Sequence, residues 1–217
     1  MTAIPIRRRP LLSLAAAALF AAPLRSYATS EQGADTADAT APIRRLEDAL
    51  LIAMKSGAQT PFPRRFATLA PVVDETFDLG AVLQASIGPR WSMLTPDQTA
   101  SLQVAFRRYT VSSYVSNFDS YSGQTFRIEP NVRSVGSGEV VVQSHLVPKD
   151  GAPKELSYVM KQTPDGWKAV DVLADGSISR VAVQRSDFRS LLASGGAPAL
   201  LGSLQRKVSD LSGGALA

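Results

Sequence analysis

Asp171, His145 and the tyrosines are the residues whose types and spacing could support chemistry in this chain. Asp171 lies in the run Gly166 to Leu173, GWKAVDVL. A period of two there puts Trp167, Ala169 and Asp171 on one side and Lys168, Val170 and Val172 on the other. A carboxylate held beside a tyrosine hydroxyl in a small α+β cone could abstract a proton next to a carbonyl, which would make the protein isomerase-like. The competing role for Asp171 is to satisfy backbone at the corner that follows it, which Asp does routinely. Asp175 and Arg185 are expected to shape that same corner rather than to react. His145 is the sole histidine and sits mid-strand between Ser144 and Leu146, so no histidine pair exists to hold a metal. The absence of Cys excludes a thiolate nucleophile, a disulfide and a Cys-ligated metal. With no Gly-x-Ser-x-Gly elbow and no phosphate loop either, no catalytic residue, metal or cofactor is assigned.

The amino terminus reads as an address. Arg7, Arg8 and Arg9 precede an apolar run from Leu11 to Ala22, and small residues at Ser26 and Ala28 mark a cleavage site, so residues 1–28 form an export signal. The apolar run is well short of the ~20 residues that a membrane span requires. Arg8-Arg9-Pro10-Leu11-Leu12 partly matches a twin-arginine signal, but Arg7 stands where Ser or Thr belongs, and the general secretory route is expected. Cleavage would remove four arginines and no acid, leaving 19 basic and 19 acidic residues. The basic pI of the whole chain is therefore no argument for nucleic-acid binding, which needs a clustered basic surface. Residues 29–42 hold no large apolar side chain and are expected to be a flexible leader. One domain is expected over residues 43–212, followed by a disordered tail over 213–217, in a monomeric protein.

The elements that must position any site change period along the chain. Ile43 to Lys55 spaces Ile43, Leu46, Leu50, Leu51 and Met54 as an amphipathic helix. Pro61, Pro63 and Pro71 punctuate the next stretch, and Val72 to Ile87 resumes helical spacing with Val73, Phe77, Val82 and Leu83, giving a helix pair or a bent helix. Thr95-Pro96-Asp97-Gln98 opens a long helix with a capping box and proline at its first position. That helix should reach Asp119 or Tyr121, with Leu102, Phe106, Tyr109 and Ser113 on one line and Val104, Val111, Val115 and Phe118 on the next. So broad an apolar surface needs protein or ligand on more than one side. Alternation then predicts about four antiparallel strands, over Gln124 to Glu129, Glu139 to Val147, Glu155 to Gln162 and Gly166 to Leu173. Helices over Asp187 to Leu192 and Pro198 to Leu211 follow, separated by Gly195-Gly196. The order of helices, strands and helices implies an α+β domain, its sheet covered by N-terminal and C-terminal helices.

Two separated regions carry a family resemblance. The pattern W-K-x-V-D-V-x-x-x-G, at Trp167, Lys168, Val170, Asp171, Val172 and Gly176 and followed directly by Ser177, with R-S-x-F at Arg185, Ser186 and Phe188, resembles the toluene-tolerance or MlaC family of periplasmic phospholipid-binding proteins. The stretch LTPDQTASLQVAFRRYTVSSYVSNFDSYSGQTFRI is similar to that family's central helix, through Phe106, Tyr109, Tyr114, Tyr121 and Gly123. Where the family has Glu-Gly-Val-Ser at the corner, this chain has Asp175-Gly176-Ser177-Ile178. The resemblance implies a deep apolar cavity for acyl chains with the head group near the mouth. The matching apolar positions are Val73, Phe77, Phe106, Tyr109, Tyr114, Phe126, Val142, Tyr158, Met160, Val170, Val172 and Phe188, although any one of them would serve equally well as ordinary core. It further implies a soluble periplasmic carrier, with lipid as cargo and no cofactor. The cargo would be a phospholipid, or a hopanoid-type lipid as in a hopanoid-associated subgroup. The partners would be an inner-membrane ABC transporter complex and an outer-membrane lipoprotein complex, with no nucleic acid. Two acyl chains of roughly 30 methylenes would cost about 24 kcal/mol to expose to water, so such a cargo needs a carrier. A non-enzymatic interaction domain with a filled core is the third reading.

Overall fold

The computed structural model describes residues 31–216; the export-signal reading of residues 1–28 falls outside them. Six strands form one antiparallel sheet: β1 (Thr125–Ile128), β2 (Arg133–Gly136), β3 (Glu139–Val147), β4 (Lys154–Thr163), β5 (Gly166–Ala174) and β6 (Ile178–Ser179). Five helices pack around it: α1 (Glu31–Ser56), α2 (Phe62–Thr76), α3 (Leu79–Ile87), α4 (Pro96–Asn117) and α5 (Arg180–Ser212), with a 3-10 turn over Gly88–Met93. The α+β class stands as expected, and the sheet has two strands more than the sequence pattern suggested. β2 was missed because all four of its residues are exposed and carry no alternation. β6 is only two residues long. β1 and β2 share one edge of β3.

The corner from β5 into β6 is a hairpin made by its own residues. Asp175 and Gly176 both have positive φ, at 49° and 70°, and Ser177 N–H donates to the Ala174 carbonyl at 3.2 Å. Asp-Gly is the dipeptide that takes two consecutive positive φ values most readily, and such a turn matches the twist of the strands it joins.

A bulge in β5 redirects the side chains that follow it. Met160 pairs with Ala169 and Val159 with Asp171, leaving Val170 as an extra residue without a cross-strand partner. The core face of β5 therefore runs Trp167, Ala169 and then, beyond the bulge, Val172. Strict alternation had grouped Val170 with Val172 on one face, and the extra residue breaks that grouping.

The helices begin and end differently from expectation at five places, the first being α4, which stops at Asn117 with Phe118 as its cap, short of the expected Asp119 or Tyr121. Residues 31–42 are helical, and Ala39 is fully buried one turn before Ile43, so the expected leader is the first part of α1. Ala-rich sequence has high helix propensity, and a small side chain suffices where the packing is close. The break between α2 and α3 falls at Phe77-Asp78, not at Pro71. There Phe77 bridges Ala169 in parallel, Asp78 N–H donates to the Ala169 carbonyl, and the Asp78 carboxylate caps Ala81 N–H at 2.8 Å. α5 starts at Arg180, with Ser179 as its cap, seven residues before the expected helix, and is kinked where Gly195 and Gly196 leave helical geometry. The tail expected to be disordered is hydrogen-bonded as far as Leu216: Gly213 takes a left-handed conformation and Gly214 N–H reaches the Ser209 carbonyl at 2.8 Å. The capping box at Thr95 and Gln98 forms as read from the sequence.

Two apolar clusters result. One lies under the sheet, with Ile43, Leu46 and Leu50 of α1, Val73 of α2, Val111 and Val115 of α4, and Val142, Tyr158 and Met160 of the strands. The other is purely helical and joins Leu83, Ile87, Phe106, Phe188, Leu192 and Leu200. Long basic side chains tie the layers together at carbonyl-rich helix ends. Lys168 of β5 donates to the Asp74 and Glu75 carbonyls at the end of α2, and Arg65 donates to the Val115 carbonyl at 3.0 Å. Arg185 donates through Nε and Nη2 to the Ala85 carbonyl of α3, so it ties α5 to α3 rather than shaping the corner with Asp175.

Candidate functional site

The two clusters do not meet everywhere, and the gap between them is a cavity of about 420 Å³. That volume lies within the range of small-molecule sites, ~300–1,000 Å³. One wall is the sheet, through Leu156, Tyr158, Val172 and Ala174; opposite it runs α4, from Phe106 to Phe118. Phe77, Leu79 and Val82 close it where α2 gives way to α3, and Arg180, Val181 and Gln184 of α5 form the remaining side.

Rings from three elements form the inner surface. Phe77 lies 5.8 Å from Tyr114 and 6.5 Å from Tyr158 between ring centroids, and Tyr114 stacks on Phe118 at 6.0 Å. Burial pushes the Tyr114 phenol well up, with the Arg180 charge acting in the opposite direction. The Tyr158 phenol is pushed up by burial first, then by Tyr114 and Glu47. Both hydroxyls therefore stay neutral.

Polarity is graded along the cavity. Phe77, Phe106, Tyr158 and Val181 are buried, whereas Asn117 and Arg180 are the exposed members of the lining and mark its mouth. Between them Thr110, Ser113 and Asn117, spaced three and four residues apart, make a polar stripe along α4. The site is thus greasy inside and polar at the opening.

Six of the twelve residues implied by the resemblance line this cavity: Phe77, Phe106, Tyr109, Tyr114, Tyr158 and Val172. Val73, Val142 and Met160 are instead fully buried in the core beneath the sheet, and Phe188 in the helical core, edge-on to Phe106 at 6.3 Å. Phe126 packs against Phe118 behind the wall, and the bulge leaves Val170 outside the cavity lining. Residues that were not singled out include Leu79, Val82, Leu156 and the polar group Thr110, Asn117, Arg180 and Gln184. Only the α4 stripe left a signal, since three small polar residues interrupt a helix that is apolar on both flanks.

Asp171 also lines the cavity, together with Tyr109, Tyr114 and Tyr158. Its carboxylate is already occupied. Oδ1 accepts from Val172 N–H at 2.7 Å and from Val181 N–H at 3.1 Å, while Oδ2 accepts from the Ser179 hydroxyl at 2.5 Å. These bonds lock β5, β6 and the start of α5 together, and they are the backbone-satisfying role weighed against proton abstraction. His145 lies away from the cavity, on β3, with Nδ1 3.4 Å from Glu129 Oε1 but not aligned for a hydrogen bond. No group of His, Asp and Glu able to hold a metal ion occurs among the described residues.

A model of the MlaC protein family matches residues 44–206. A solved structure of a phospholipid-binding protein from Ralstonia solanacearum, in complex with a phospholipid, has the same fold: the TM-score is 0.70 over 81% of this chain and 99% of that chain, at 23% sequence identity.

Proposed function

This chain belongs to the MlaC protein family, and from that premise we propose that it is a lipid carrier that holds acyl chains in the cavity between the sheet and α4. The observation that carries the reading is the graded cavity, with the Phe77, Tyr114 and Tyr158 rings inside and Asn117 and Arg180 at its mouth. The phospholipid complex of the protein with the same fold supports phospholipid as the cargo, with a hopanoid-type lipid as the alternative. Transfer needs no covalent step. The lipid leaves a membrane when the protein offers apolar surface of equal quality, and at ~0.8 kcal/mol per methylene the exchange is nearly balanced.

The carrier works in the periplasm after removal of the signal at residues 1–28, and no helix among the described residues is long and apolar enough to cross a membrane. It moves lipid as a monomer between an inner-membrane ABC transporter complex and an outer-membrane lipoprotein complex, and docking to either triggers loading or release. Native mass spectrometry with lipid extraction tests the first step. Protein purified from the periplasm should carry lipid at close to one molecule per chain, and protein that is lipid-free and takes up none from vesicles would overturn the reading.

A further inference from the structure

The mouth of the cavity holds a positive charge with no hydrogen-bond or ion-pair partner among the described residues. Arg180 is exposed, lines the cavity and makes no hydrogen bond or ion pair with any described residue. Arg185, Arg90 and Arg107, by contrast, are committed: to the Ala85 carbonyl, the Leu192 carbonyl and the Asp74 carboxylate. The sole carboxylate in the lining, Asp171, has both oxygens taken up by Val172, Val181 and Ser179 and does not close on Arg180. The guanidinium stands close enough to the interior for its field to act on the Tyr114 hydroxyl. A cation kept unpaired at the rim of an apolar cavity is suited to a ligand that is apolar at one end and anionic at the other.

We infer that Arg180 seats the phosphate of the cargo's head group, so that the protein selects phosphate-bearing lipids over uncharged lipids with the same chains. The inference rests on the carrier reading and adds the chemistry of the head group to it. A guanidinium offers paired N–H donors matched to two phosphate oxygens, and Asn117 at the same mouth can donate to a third.

The test measures binding of labelled phosphatidylglycerol, a labelled diacylglycerol with the same chains, and inorganic phosphate to the delipidated mature protein. Arg180→Gln should weaken phosphatidylglycerol binding about tenfold, the scale of one charged hydrogen bond, and leave diacylglycerol binding unchanged. Arg180→Lys should recover most of the loss, and Arg189→Gln, exposed on the same helix but outside the lining, should change neither lipid. Equal effects on both lipids, or none on either, would overturn the phosphate seat while leaving the carrier intact. Arg180-dependent binding of inorganic phosphate with no preference between the lipids would also overturn it, by making the site one for the free anion. Failure of the unaltered protein to bind either lipid would instead overturn the carrier reading.

Discussion

Glu47 is a carboxyl in the wrong solvent, and replacing it by Gln should stabilise the protein in a strictly pH-dependent way. The residue sits on α1 facing the sheet, is only 4% exposed, and accepts a hydrogen bond from the fully buried Ser144 hydroxyl. Burial pushes its pKa from the usual 4.5 to about 7; the Ser144 bond and Arg44 pull it back, and Asp48 adds to the rise. Below pH 4.5 the carboxyl is protonated in both folded and unfolded chains, so it contributes no pH dependence. Between 4.5 and 7 the unfolded chain gives up this proton while the folded chain keeps it, and stability falls as pH rises. Above 7 the deficit is constant. A gap of about 2.5 pH units, at ~1.4 kcal/mol each, makes that deficit about 3.5 kcal/mol.

Glu47→Gln cannot ionise, so relative to the unaltered protein it should gain up to about 3.5 kcal/mol at pH 8 and little at pH 4.5. For a domain of this size the gain corresponds to a rise in Tm of roughly 7–14 °C at pH 8. The assay is urea unfolding of both proteins at half-unit steps from pH 4.5 to pH 8.5. Other titrating groups are common to both and cancel in the difference. Two parallel stability profiles would refute the argument, since they would mean that Glu47 is solvated in the native state. Ser144→Ala should act in the opposite sense, costing about 1–3 kcal/mol at pH 8 and less at pH 5, because it removes the charged form's donor.

Other consequences follow from the cavity and the corner. Val172→Trp should block the cavity and abolish lipid co-purification with the circular dichroism spectrum unchanged, while Val170→Trp, displaced by the bulge, should keep its lipid; equal lipid loss in both would show that the bulge does not set the wall. Gly176→Ala should cost about 1–2 kcal/mol in urea unfolding, since φ is +70° and its new methyl would lie 2.7 Å from Glu155 Oε1. Asp171→Ala should cost roughly 2–3 kcal/mol by freeing Ser179 and two backbone N–H groups, and a neutral result would remove its scaffold role.

The legible parts of the fold are those where a local pattern and the tertiary environment agree. β3 has the predicted bounds, Glu139–Val147, because Val140, Val142 and Ser144 alternate against a buried face. The start of α4 is as read because its cap is made by Thr95 and Gln98 alone. Misreadings arise where the deciding partner is remote in sequence. The α2 to α3 break falls at Phe77 because Ala169, 92 residues away, offers an unpaired strand edge, which outweighs the proline signal at Pro71. Likewise the N-terminal part of α1 is anchored through Ala39, a side chain too small to register as apolar pattern.

The site was harder to read than the fold for a more general reason. A cavity wall and a packed core call for the same residue types, so Phe77 and Val73, both apolar and spaced one helical turn apart, could not be told apart in the sequence. What separates them is whether the opposite wall is close enough to fill the space, and that depends on how elements remote in sequence pack. Polar residues break this degeneracy, because they carry a cost inside a core and none beside a ligand or solvent. Thr110, Ser113 and Asn117, on a helix flanked by apolar lines, were therefore the more informative residues. They mark the side of α4 that the two cores leave open, and through it the end of the cavity at which a charged head group would rest.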